Sequence, residues 1–417
     1  MQKRDSLQNF FNPKTIAVVG ASSNPKKVGH ILVKKLLNFK GKVIPVNPKH
    51  KEILGKKSYA SLTEYPGEID LAIIAIPSKK VKEIIEECGK KQIKNMIVIS
   101  AGFSEIKNFE LEEKIVKIAE KYSINLLGPN CFGVANPYLN LDTTFSNTTA
   151  REGDIAFISQ SGALWSSISD LSVGKFGFSG FVSLGNMACL NFYDFIKYFS
   201  EDKKTKKIVL YIEKLKQGKK FIEICKKSKK EIIAIKSGST KKGSEATVSH
   251  TGSLATDFEI YQGVFRQANI KHADSLFSAF NYARLKIKPK GNRIVILTNA
   301  GGAGALITDY CIKQRLNLVK PPIDLLGTAT AKDYEIALNE LEKQSFYDSV
   351  IVILTPQEMS EPEKTAEAII KFSENKSVVA CFLGGESVKK AKKFLEKNNV
   401  FCYTRLKDVA EVLGVGV

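Results

Sequence analysis

Three consecutive doubly wound domains with parallel sheets, an α/β architecture, are predicted by three observations. Short β-branched runs alternate with amphipathic helical stretches along the whole chain, the pattern of βαβ units. At 417 residues the chain exceeds what one ordinary hydrophobic core organises, so two to three domains are expected. The polar stretch 286–292, with its proline and glycine, reads as a linker. Strands are expected in a first block at 16–20, 42–47, 71–76, 95–100 and 125–128, with helices at 29–39, 81–91 and 109–121. Five such strands complete a doubly wound sheet near residue 140. A second block has strands at 155–159, 180–184, 208–213 and 231–236, then helices at 260–268 and 276–285. A third has strands at 293–297, 349–354, 377–382 and 400–403. The domains are accordingly 1–143, 144–288 and 292–417.

Composition narrows the function classes. Apolar residues at 43% and charged residues at 25% fit a folded chain rather than a disordered one. No apolar run approaches the roughly 18 residues of a membrane span, and residues 16–19 read as a first strand rather than the core of a signal peptide. No membrane role is expected. The seven cysteines are scattered without paired spacing, which suits thiols in a reducing cytoplasm better than disulfides or a zinc site. The net charge is +20, yet only seven of the 63 basic residues are arginine. Nucleic-acid readers rely on arginine for bidentate and stacking contacts. These lysines instead fall on solvent-facing helix positions, so no nucleic-acid partner is expected, and the charge would attract anionic substrates.

The first glycine turn, Gly20-Ala21-Ser22-Ser23-Asn24-Pro25-Lys26-Lys27-Val28-Gly29, follows a strand and opens a helix, a geometry that presents backbone N–H groups to an anion. A dinucleotide fingerprint would put glycines at 20, 22 and 25, but Ser22 and Pro25 stand at two of these. The second strand ends in Pro45-Val46-Asn47-Pro48-Lys49-His50-Lys51, without the acidic residue that a NAD ribose needs. A basic strand end suits a nucleotide with an extra phosphate, CoA or NADP.

This turn and the Pro-Val-Asn-Pro-Lys that follows resemble the CoA-binding domain of acyl-CoA synthetases of the succinyl-CoA synthetase superfamily. The resemblance continues through Ala75-Ile76-Pro77-Ser78, Ile99-Ser100-Ala101-Gly102-Phe103 and Gly128-Pro129-Asn130-Cys131-Phe132-Gly133. It implies a Rossmann-like first domain and two flavodoxin-like domains after it. It also implies a CoA cleft lined by Gly20, Ala21, Ser22, Ser23, Lys49, Ile76, Pro77, Ser78, Ser100, Ala101 and Gly102, with Asn130 and Cys131 facing the reacting thioester. Packing or positioning, rather than chemistry, is expected of Cys131.

In the second block, Ser161-Gly162-Ala163 again join a strand to a helix and offer amides to an anion. Of the four histidines, only His250 sits in a Gly/Ser/Thr-rich stretch, which begins at Ser237. Without an apolar face to bury, that stretch is expected to be a mobile loop. An accessible imidazole is a good nucleophile at neutral pH, although most loop histidines are inert. Ser249-His250-Thr251-Gly252-Ser253-Leu254-Ala255 matches the phosphohistidine loop of the NDP-forming acyl-CoA synthetases residue for residue. Leu210-Tyr211-Ile212-Glu213 resembles that family's strand-end glutamate, which would hold the histidine tautomer and stabilise its imidazolium.

The resemblance extends over the third block through 298–304, 321–327 and 355–357, where a structural or subunit-interface role is expected for the 299–304 glycine loop. Cys189 and Asn191 stand where the family commonly has acidic residues, and Pro322-Ile323-Asp324 replaces its Asn-Pro-Val-Asp. The resemblance implies a reversible reaction of acyl-CoA, phosphate and ADP through acyl phosphate and phospho-His250, with Ser161–Ala163 holding the phosphate. The chain shows no ATP-grasp module and no P-loop pattern. An ATP-grasp β subunit carrying the nucleotide and Mg²⁺ is therefore expected, in an α₂β₂ assembly, and no metal on this chain. The alternatives are a non-catalytic CoA-binding sensor or scaffold and an NADP-dependent reductase.

Overall fold

Thr15–Val19 (β1), Lys42–Val46 (β2), Leu71–Ile74 (β3), Asn95–Val98 (β4) and Asn125–Leu127 (β5) are nearly continuous apolar runs. Such runs suit strands covered on both faces. In the computed structural model, which describes residues 4–245 and 257–417, they form a fully parallel sheet in the order β2-β1-β3-β4-β5. The strand order reverses between β1 and β3, so a crevice opens at their carboxyl ends.

A second sheet contains Val134–Asn136 (β6), Leu141–Asp142 (β7), Glu152–Ser159 (β8), Phe178–Ser183 (β9), Lys207–Ile212 (β10) and Glu231–Lys236 (β11). Strand β8 lies between β9 and β10, all parallel, which makes a second switch point at its end. Strands β6 and β7 were not predicted. They pair antiparallel at the β9 edge, so this sheet begins before residue 144. Each is only two or three residues long, too short to leave an alternating pattern in the sequence.

All the strands named so far belong to one compact unit, Met1–Ile270. One reason is the helix Arg4–Phe11, whose Phe11 stacks on Tyr198 at 4.6 Å and meets Phe195 and Phe199 edge-on. These rings add about 0.5–1.5 kcal/mol per pair beyond their buried area. The helix Phe192–Glu201 that presents them is capped by Asn191, whose side chain accepts from Tyr193 N while Asp194 accepts from Asn191 N. The departure at Asn191 therefore supplies a helix cap.

A second compact unit, Lys271–Val417, holds Arg293–Thr298 (β12), Asn317–Leu318 (β13), Ile323–Asp324 (β14), Ser349–Leu354 (β15), Val378–Phe382 (β16) and Cys402–Tyr403 (β17). They run parallel in the order β13-β12-β15-β16-β17, with β14 also on β12. Ile323 packs on this unit's core from β14. Asn299 is buried, and its amide donates to Thr355 O and Gln357 Oε1 while accepting from Thr355 N. Asn299 is thus tied to the neighbouring strand end, and the stretch expected as a glycine loop is helical from Gly301 on, within the helix Gly301–Lys313. Among the described residues no helix is long and apolar enough to cross a membrane.

Candidate functional site

The two switch points of the first unit frame one cavity of about 810 Å³. From the first sheet come Gly20, Ser22 and Gly29 of the glycine turn, Asn47 after β2, Ile76 and Pro77 after β3, and Ser100 and Ala101 after β4. Asn130, Cys131 and Phe132 follow β5, and Gln160, Ser161, Gly162 and Ala163 arrive from the end of β8.

Two glycines make the first wall possible. Gly20 has φ +86°, and a Cβ there would lie 2.3 Å from Ala75 O. A Cβ on Gly29 would lie 1.9 Å from Gly20 O, so only glycine lets the helix Val28–Lys35 approach the turn. Side chains then tie the strand ends together. Asn47 Nδ2 donates to Ala21 O at 2.6 Å, and Ser100 Oγ donates to Ile76 O at 2.5 Å. His30 Nδ1 lies 2.9 Å from Ser22 O and braces the turn from behind.

The opposite wall begins the helix Ala163–Ser172. Its N-cap, Gly162, has no side-chain cap and lines the cavity with Ser161 and Ala163, so the positive end of the helix faces it, while the Trp165 N–H turns back to Gly162 O. A Cβ at Gly162 would sit 2.3 Å from Phe132 Cβ, which explains the glycine there.

Several predicted residues stand outside this lining. Ala21 is buried and Ser23 is exposed, with Ser23 Oγ 3.5 Å from His50 Nε2. Lys49 is exposed and its N–H donates to Asn47 Oδ1. Gly102, at φ +110°, packs where a Cβ would come 2.6 Å from Ser78 Oγ. Cys131 does line the cavity, but as a buried thiol. It is 5% exposed, its thiol donates to Val98 O at 3.3 Å, and burial pushes its pKa up to about 12. A thiol so protonated is no nucleophile at neutral pH.

Glu213 does not line the large cavity. It follows β10 and lines a smaller one of about 240 Å³ with Glu105, Glu112, Asn186, Lys214 and Lys216. Asn130 and Gln160 line both cavities. Gln160 Oε1 accepts from Glu213 N at 2.7 Å and from Lys214 N at 2.8 Å, so one side chain bridges the two spaces. Asn186 Nδ2 donates to Glu105 at 2.7 Å and Glu112 at 2.8 Å, and Asn130 donates to Asn186 Oδ1 at 3.3 Å. Burial pushes the Glu105 carboxyl up, but the Asn186 amide and the Gly102 and Phe103 N–H groups outweigh it and hold it below the usual range. Lys216 donates to Asn186 O and Met187 O, and burial pulls its ammonium down against the field of Glu112.

Asn47 and Gln160 were not singled out in the sequence. Their signal was position, one residue beyond a strand at a switch point. His250 lies outside the described residues. The loop expected from Ser237 differs in part, because residues 241–245 are helical and Thr240 Oγ1 accepts from Gly243 N. A threonine capping a short helix needs no apolar face, which is why composition did not reveal it.

Known proteins match this organisation. Residues 14–137 match the CoA binding domain, and residues 152–286 match the succinyl-CoA ligase like flavodoxin domain. Fold and site thus define a class: a Rossmann-like CoA-binding domain followed by a flavodoxin-like succinyl-CoA-ligase domain. The chain belongs to the family of ADP-forming acyl-CoA synthetases, with their alpha subunits. It is 41% identical to the alpha subunit of acetate–CoA ligase (ADP-forming) II of Pyrococcus furiosus, covering 97% of this chain and 96% of that one. It is 38% identical to acetate–CoA ligase (ADP-forming) I of Archaeoglobus fulgidus, over 94% of this chain but only 61% of that longer protein. Among solved structures it is similar to the dinucleotide forming acetyl-coenzyme A synthetase 1 of Ca. Korarchaeum cryptofilum in complex with phosphate and ADP. There the TM-score is 0.88 at 35% identity, over 98% of this chain and 95% of that one.

Proposed function

We propose that this chain binds CoA and carries the phosphoryl group in a reversible reaction of acyl-CoA, phosphate and ADP to acid, CoA and ATP. The observation that carries the reading is the meeting of two anion-donor turns, Gly20–Ser22 and Ser161–Ala163, on one cavity that shares Gln160 and Asn130 with the space beside Glu213. CoA would lie on Gly20, Ala21, Ser22, Ser23, Lys49, Ile76, Pro77, Ser78, Ser100, Ala101 and Gly102, with its thioester toward Asn130 and Cys131.

Phosphate oxygen attacks the thioester carbonyl, the C–S bond breaks, and the thiolate leaves to take a proton. The Ser161–Ala163 amides hold the resulting acyl phosphate. An imidazole nitrogen of His250 then attacks phosphorus, and the P–O bond to the acyl group breaks to release the carboxylate. Glu213 accepts a hydrogen bond from the other ring N–H and stabilises the charged imidazole. A nucleoside diphosphate oxygen finally takes the phosphoryl group, and the P–N bond breaks.

That last step is assigned to an ATP-grasp β subunit, which would hold ADP and Mg²⁺, in an α₂β₂ assembly in the cytoplasm. Support comes from the relatives named as alpha subunits and from the length difference to the longer relative. We assign the domains to 1–143, 144–288 and 292–417. The test is to mix the purified chain with an ATP-grasp subunit, acetyl-CoA, phosphate and ADP, and to follow ATP and free thiol together. Equal yields from the mixture, and no ATP from the chain alone, are expected. Thiol release without ATP from the mixture contradicts the assignment.

A further inference from the structure

Lys35 carries a buried charge that the proposed reaction does not use. Its side chain is 13% exposed and that of Asp142 is 6% exposed, and Lys35 Nζ lies 2.6 Å from Asp142 Oδ2. The ammonium also donates to Ser146 Oγ at 3.2 Å and to Thr148 O at 3.1 Å. A cation taken out of water needs such a set of acceptors. The second Asp142 oxygen accepts from Thr144 N at 2.9 Å and from Thr144 Oγ1 at 2.6 Å. Lys35 closes the helix Val28–Lys35, which starts at the first glycine turn, and Asp142 ends β7. Further on, Thr148 Oγ1 lies 2.6 Å from Ser169 Oγ of the helix Ala163–Ser172. Residues 143–148 have no regular structure, yet they are fastened to both helices that open on the large cavity.

Among the described residues, this segment contributes one to the cavity lining, Phe145. Its ring centre is 3.8 Å from that of Phe132. Phe132 lies against the second anion turn, since a Cβ on Gly162 would sit 2.3 Å from Phe132 Cβ. Its backbone N–H donates to Ser183 Oγ at 2.9 Å, which ties it to the end of β9. The two rings therefore form an apolar wall beside Ser161–Ala163. A phosphate held there can attack only a carbonyl carbon about 3–3.5 Å from its oxygen. The acyl tail beyond that carbon then has the rings as neighbours. Aromatic faces suit an uncharged tail and would leave a second carboxylate unpaired. Phe132 also shapes the anion turn, whereas Phe145 is half-buried and is held from the far side by the Lys35 clamp.

We propose that Phe145 is a specificity-determining residue: positioned by the Lys35–Asp142 clamp, its ring limits the bulk of an uncharged acyl group at the thioester end of the cavity. This rests on the phosphate role given above to Ser161–Ala163.

The test compares acetyl-CoA with benzoyl-CoA, whose phenyl group matches the space that removal of the Phe145 ring would open. Phosphate-dependent thiol release is followed for the chain with its nucleotide-binding partner and ADP. Phe145→Ala is expected to raise the benzoyl-to-acetyl ratio of kcat/KM by about tenfold, the scale at which a pocket contact discriminates. Phe145→Leu should raise it less, Phe145→Trp should lower it, and the KM for phosphate should stay put in all three. An unmoved ratio would overturn the proposal, as would an equal loss with both thioesters or a raised phosphate KM at constant ratio. If Phe145→Ala does not fold, the opposite shifts expected of the Leu and Trp variants decide. Absence of phosphate-dependent turnover in the wild type is a different failure, because it contradicts the underlying assignment of this cavity to the reaction.

Discussion

At the residue scale, the site separates groups that do chemistry from groups that only hold shape, and burial is the criterion. Cys131 stands in a motif beside the cavity, but a thiol donating to a backbone carbonyl with its pKa raised to about 12 has almost no thiolate at neutral pH. Native-state alkylation at about pH 8 is therefore expected to spare Cys131. Cys189 should react first, since it alone among the seven is not fully buried. Peptide mapping after a short iodoacetamide pulse reads this, and early modification of Cys131 would contradict it. Cys189 also packs on the first domain's core, which gives a physical use to a position where an acid was expected. Motif residues such as Gly20, Ser100 and Ser161 were legible because their spacing from a strand end is fixed. Gln160 was not. A glutamine bonding two consecutive N–H groups leaves no pattern in sequence, and only the fold shows that its side chain spans two cavities.

At the element scale, the cleft depends on how closely a helix can sit on a turn. Gly29 is the tightest point, with a Cβ position 1.9 Å from Gly20 O, and Gly20 adds a left-handed φ of +86°. Gly29→Ala is expected to destabilise the chain by about 1–3 kcal/mol, because the helix must shift to admit the methyl. It should also weaken CoA binding, which calorimetry with CoA and a thermal melt would measure side by side. Unchanged affinity and melting would show that the turn does not set the cleft. The longer strands, such as Glu231–Lys236 and Ser349–Leu354, were predicted to the residue, since each is an apolar run with polar flanks. Boundaries elsewhere drifted toward the carboxyl side. The expected strands 71–76 and 95–100 stop at Ile74 and Val98; Ala75 and Ile99 each still donate one backbone bond to the neighbouring strand, and together with Ile76 and Ser100 they line the cavity. Local propensity does not distinguish a residue in a ladder from one that points at a ligand.

At the scale of the whole molecule, the proposed function requires two sheets to act as one body, so that the CoA turn and the phosphate turn face one cavity. This requirement is met within residues Met1–Ile270, where one hydrophobic core includes residues of both sheets and the helix Arg4–Phe11 stacks against the second domain. That continuity was not legible, because residues 134–142 were counted with the first domain, whereas β6 and β7 pair onto the second sheet. Lysine enrichment was legible as a surface property, and with only seven arginines it led to the expectation of small anionic substrates rather than nucleic acid. The family membership fits the CoA reading of the basic β2 end over the NADP one. The central claim is that His250 accepts the phosphoryl group. Its most direct measurement is incorporation of labelled phosphate into the chain from acetyl-CoA, compared between wild type and His250→Ala with the partner present. Acid-labile, base-stable label on the wild type and none on the variant is the predicted result. Equal labelling of both would contradict the account.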